Sequence, residues 1–155
     1  MITENELTQR VAVITRLRDL LVRQRDHFCS YLAVLDKQQV IIDSGNTGNV
    51  LAYVELEENI TADIFSIQRV IDPLEVMYRE LAIESPADDI PAIKSTLEKL
   101  KKQTTVQAKI NRELISAKME NIRFELNELK KNPVLIKNSI YRTSVNTASL
   151  VDIRG

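Results

Sequence analysis

The chain is poor in the residues that small catalytic and metal-binding domains depend on. Its 155 residues include one cysteine, Cys29, one histidine, His27, three glycines, four prolines and no tryptophan. One thiol and one imidazole do not make a four-ligand zinc site, and a lone cysteine closes no intrachain disulfide. No metal or other cofactor is therefore expected, and a reducing, cytoplasmic compartment is. Three glycines supply neither a phosphate-cradling loop nor the many turns of a sandwich or barrel. An excess of one charge is missing too: 21 Lys+Arg against 22 Asp+Glu leave a formal net charge of −1. Such a molecule has no long-range field to draw in nucleic acid or an acidic membrane, so no nucleic-acid partner is expected. The first thirty residues carry charges throughout, which argues against a secretory leader and against membrane insertion.

The side chains with chemical potential are scattered. His27 and Cys29 stand two residues apart, about 200° around a helix, and so do not face one substrate. Glu55, Glu57 and Glu58 have no E-x-x-H partner and read as a solvated face. Lys99, Lys101 and Lys102 lie beside Glu98 without interleaved aromatics and read the same way. No catalytic residue is assigned, and an enzyme is not expected.

What the sequence does have is helical periodicity. Apolar residues recur every seven positions at Leu7, Ile14, Leu21, Phe28, Leu35 and Ile42, flanked by Val11, Leu17, Tyr31 and Leu32, the mark of a long helix with one buried seam. Thr3 and Glu6 form a T-x-x-E capping box at its start, and the run Asp43 to Asn49 is made of turn formers. A second stripe steps by fours and threes through Ile60, Ile64, Ile67, Ile71, Leu74, Tyr78 and Leu81, as in a coiled coil. Pro73 interrupts it, predicting a kink or short break near residue 72. A third stretch carries Ile90, Ile93, Leu97 and Leu100. The polar patch from Lys101 to Gln107 follows, expected to pack less tightly. Leu114, Ile115, Met119, Ile122, Leu126 and Leu129 resume the apolar spacing. Asn132-Pro133 ends it.

These signals predict an all-α protein: an elongated antiparallel bundle of about three long helices with a flexible C-terminal tail. The bundle spans 1–131, with helices near 3–43, 49–84 and 89–131, and the tail spans 132–155. Residues 1–43, 44–88 and 89–155 carry net charges of 0, −7 and +6, so an acidic second helix is expected beside a basic third. Most aromatics, including Phe65 and Phe124, fall in the helices and read as core or core edge. Tyr141 stands alone in the polar tail, where it is either a docking anchor or an ordinary tail residue. The stripe ending at Leu129 is open to two readings as well, burial in the bundle or exposure as a face that receives a partner helix.

The run Gln107-Ala108-Lys109-Ile110-Asn111-Arg112-Glu113-Leu114-Ile115, with its spaced apolar residues to Leu129, resembles the third helix of the FlgN family of flagellar export chaperones. Asn111, Leu114 and Ile115 match an Asn-x-x-Leu-Leu-like run in that family. The order of three helices and a tyrosine-bearing tail matches more loosely. The resemblance implies a cytoplasmic chaperone that holds hook-associated filament-junction proteins and brings them to the cytoplasmic domain of the flagellar type III export gate. Leu114, Ile115, Met119, Ile122, Leu126 and Leu129 would bind the cargo, and Tyr141 the gate. After Tyr141 the chain reads Arg142-Thr143-Ser144-Val145, without the glycine of the family pattern. An alternative of another class is a self-associating coiled-coil adaptor without secretion cargo, because pairing within one chain and between chains uses the same periodicity.

Overall fold

Thr3 opens the first helix in the way its sequence predicts. Its Oγ1 accepts the Glu6 backbone N–H at 3.3 Å, while Glu6 Oε2 accepts the Thr3 N–H at 3.0 Å, so two otherwise orphaned donors are satisfied reciprocally. The helix α1 then runs over Glu4–Ser44 and ends at Gly45. Gly45 sits at φ +75°, a left-handed conformation that L side chains rarely adopt, and its N–H bonds back to the Ile42 carbonyl. A short 3-10 turn at Thr47–Asn49 leads into α2, Val50–Glu80. The third helix, α3, spans Ile90–Lys131. This computed structural model describes residues 3–81 and 88–131, and among them the protein is all-α, with no strand. The expected tail, with Tyr141, lies outside the described residues.

The helix α2 continues through Pro73 instead of breaking there. The stripe on either side keeps its place, with Ile71 fully buried and Leu74 half-buried against the core.

The chain divides into two compact units, residues 1–114 and 115–155. In the first, the order of cross-helix contacts defines an up-down-up arrangement. Gln24 meets Gln68 and Gln38 meets Glu57, so α1 and α2 are antiparallel. Arg18 meets Asp89 and Leu35 meets Asn111, so α3 runs parallel to α1. Leu17, Leu21, Phe28, Ile71, Ile90 and Leu97 centre the core, and burial of such side chains is the main driving force for the fold. Leu7 and Val11, placed in the seam by spacing, are exposed at 56% each. The level of Arg18 is where Asp89 introduces α3, so these two residues precede the three-helix part.

The acidic second helix and basic third do meet, through Lys94 Nζ and Glu75 Oε1 at 3.1 Å. At the end where α3 begins, Arg18 Nε donates to both carboxylate oxygens of Asp89 at 2.9 and 2.8 Å. Asp88 caps the new helix by accepting the Ile90 N–H at 3.0 Å and also accepts from the Tyr78 hydroxyl. Among the described residues no helix is long and apolar enough to cross a membrane.

Candidate functional site

Two features stand out, one buried in the first unit and one exposed in the second. The buried one is a polar layer crossing all three helices. Asn111, only 1% exposed, donates from Nδ2 to the Leu35 carbonyl and to Gln38 Oε1, both at 2.9 Å. Its own oxygen accepts from Gln107 Nε2 at 3.0 Å, which also donates to Gln39 Oε1 at 2.6 Å. Gln38, 2% exposed, passes a hydrogen bond on to Glu57 Oε2 at 3.3 Å, and Tyr31 Oη donates to Glu57 Oε1 at 3.1 Å. Every buried side-chain polar atom among the described residues has a partner, so the layer avoids the penalty of an unsatisfied group. Burial raises the Tyr31 phenol to about 12, with the Glu57 charge and hydrogen bond acting in the same direction.

The layer corrects one expectation. Glu57 is not part of a solvated face, since it is half-buried and accepts from two α1 side chains, Tyr31 and Gln38, while Glu55 and Glu58 are exposed. In the polar patch of α3, Thr104 is 2% exposed and its hydroxyl bonds the Leu100 carbonyl at 2.9 Å, while Lys102, Gln103, Thr105 and Val106 are exposed. Charge and polarity hid these residues from an apolar-spacing argument. The i, i+7 relation of Gln24 and Gln38 to Tyr31 in the α1 seam was the available signal.

The exposed feature is the end of α3. Leu114 closes the first unit and is half-buried, and Ile115, which opens the second, is half-buried too. Met119, Ile122, Leu126 and Leu129 are exposed at 51, 48, 52 and 39%. Their spacing of three and four residues puts them on one face with Ile115, and from Met119 to Lys131 every residue is exposed. The run from Gln107 to Leu129 is thus divided: Asn111 is committed to the bundle, and the apolar residues beyond Ile115 are open.

The other candidates resolve plainly. Cys29 is exposed and His27 is half-buried. Phe65 and Phe124 are exposed at 64 and 66%, contrary to the core expectation, and Arg69 lies 5.4 Å above the Phe65 ring. Lys101 pairs with Glu98 at 3.6 Å. No group of three or more metal-ligating side chains occurs among the described residues. A cleft of about 260 Å³ is floored by Leu21, Ile71 and Leu97 and edged by Gln24, Glu75 and Lys94. Its carboxylates and ammonium groups are paired, Glu75 with Lys94 and Glu98 with Lys101, and neither His27 nor Cys29 lines it.

Fold and surface together define an all-α helical-bundle protein with an open apolar helix face. The chain belongs to the same family as an uncharacterized protein of Treponema pallidum (strain Nichols), to which it is 30% identical over 152 residues, covering 98% of this chain and 96% of that protein. No protein-family model and no solved structure matches the chain.

Proposed function

We propose that this protein is a cytoplasmic chaperone of the flagellar type III export apparatus, holding hook-associated filament-junction proteins until they are exported. The observation that carries the reading is the open stripe of Met119, Ile122, Leu126 and Leu129 on a helix. A stripe of this spacing suits a partner helix laid along it. The resemblance of the segment from Gln107 to Leu129 to the FlgN third helix gives the partner its class. An unassembled filament-junction protein exposes a terminal helical segment prone to wrong association, and the stripe would cover it. Methionine at Met119 suits a surface that accommodates more than one sequence.

Delivery to the cytoplasmic domain of the export gate would use Tyr141, apart from the cargo stripe, so that docking need not displace cargo. The chemistry requires no nucleotide or metal. A second reading, a self-associating adaptor, is favoured by the same 4-3-4-3 spacing, which also suits pairing between copies.

The test is calorimetric titration of the full chain with peptides of the terminal helical segments of the host's hook-associated junction proteins. Saturable binding that Leu126→Asp removes supports the chaperone reading. Binding to none of the segments, by a protein that is otherwise folded, overturns it.

A further inference from the structure

We propose that the cleft between α2 and α3 is a binding site for a small, neutral, planar molecule of about the size of indole, with one N–H or O–H donor on its edge. The site lies wholly within the first unit, and the inference does not depend on the chaperone reading.

Gln24 is the residue that points to a ligand. It lines the cleft yet is 1% exposed, and its Nε2 donates to Gln68 Oε1 at 2.7 Å. The sense of that bond is set from outside, because Gln68 Nε2 donates at 2.6 Å to Asp72 Oδ1, and a carboxylate only accepts. Gln68 therefore has its oxygen to offer Gln24, and Gln24 must turn its nitrogen towards it. This leaves Gln24 Oε1 without a hydrogen bond. Every fully buried side-chain polar atom among the described residues has a partner, so this oxygen is open to solvent, and the cleft is the opening that Gln24 lines.

The rest of the cleft sets the class of ligand. Its depth is apolar, formed by Leu21 of α1, Ile71 of α2 and Leu97 of α3, each 3% exposed or less. At its mouth Glu75 pairs with Lys94 at 3.1 Å and Glu98 with Lys101 at 3.6 Å. An ionic ligand would exchange one partly exposed pair for another, which gains little, whereas a neutral one leaves both pairs in place. Two packed helices as walls suit a flat body, and ammonium groups at the mouth favour the face of an aromatic ring. Volume limits the size. A cavity of about 150 Å³ holds benzene, and this one, at about 260 Å³, has room for two fused rings. A ligand of this kind takes apolar surface out of water and brings a donor to the free oxygen of Gln24.

The experiment is titration of the full chain with indole, read by calorimetry and by nuclear Overhauser effects from the ring to protein methyl groups. Saturable binding with a dissociation constant of about 0.1–1 mM is expected for so small a ligand, with contacts to the methyls of Leu21, Ile71 and Leu97. The compound 1-methylindole keeps the rings and lacks the donor, so it is expected to bind about tenfold more weakly, the scale of one hydrogen bond. In Gln24→Met, which conserves volume and removes the acceptor, that difference between the two probes is expected to vanish, with circular dichroism checking the fold. Should the variant fail to fold, the comparison of the two probes on the wild-type chain still decides the role of the donor. Absence of saturable binding up to the solubility limit of indole overturns the site. Contacts to Met119, Ile122 and Leu126 in place of the cleft methyls overturn it as well, since the ring would then be lying on the open stripe. Equal binding of indole and 1-methylindole by the wild-type chain overturns the recognition by Gln24. Tryptamine or indole-3-acetate binding about tenfold more tightly than indole overturns the neutral class.

Discussion

Asn111 and Gln38 share a hydrogen bond of 2.9 Å between α3 and α1 while exposing only 1 and 2% of their surface. A buried amide pair of this kind favours one register over others, because a slipped helix would leave donors and acceptors without partners. The layer lies in the last turns of the first unit, four residues before Ile115.

Asn111→Ala is expected to lower stability by about 2 kcal/mol, because the Gln38 oxygen and the Leu35 carbonyl lose a buried donor. Urea unfolding followed by circular dichroism measures it. A change within about 0.5 kcal/mol would mean that water replaces the amide at no net loss.

Leu17→Ala and Leu126→Ala separate core from surface. Leu17 is completely buried and Leu126 is 52% exposed, so the first is expected to cost about 3 kcal/mol and the second close to nothing. The same denaturation experiment decides it. A comparable loss for both would show that the stripe is part of the folding core.

The tyrosines give the fold an alkaline limit. Tyr31, raised to about 12 chiefly by burial, and Tyr78, raised to about 12 chiefly by its hydrogen bond to Asp88, stand above the ordinary 10.0. Each phenol keeps its proton to higher pH when folded than when unfolded. The stability it contributes is therefore fully present below about pH 10 and is lost as pH rises from there towards 12. Tyr31→Phe removes that titration, so its stability relative to wild type should rise across this range. Chemical denaturation of both proteins at a series of pH values tests it, and a constant difference would count against the assignment.

Asp88→Ala removes both the acceptor for Tyr78 and the partner of the Ile90 N–H. A loss of about 1 kcal/mol is expected from the uncapped helix start. Ultraviolet titration should find the Tyr78 phenol ionising closer to its ordinary value, which a merely destabilised protein would not display selectively.

Local chemistry and periodicity by themselves determined the all-α class, the capping box at Thr3, the turn at Gly45 and most of the α1 seam. Those features depend on residues near one another in the chain, where helical spacing and backbone hydrogen bonding are legible without a partner. Tertiary structure alone decided where each stripe is covered. Leu7 and Val11 have the right period but lie before the level at which α3 begins, and Met119 through Leu129 have the same kind of spacing as the buried residues yet remain open. Glu57, Gln38 and Asn111 went the other way: polar residues became interior because three helices brought their donors and acceptors within 2.9 to 3.3 Å of one another. Period records which face a residue is on; burial depends on what another segment places opposite that face.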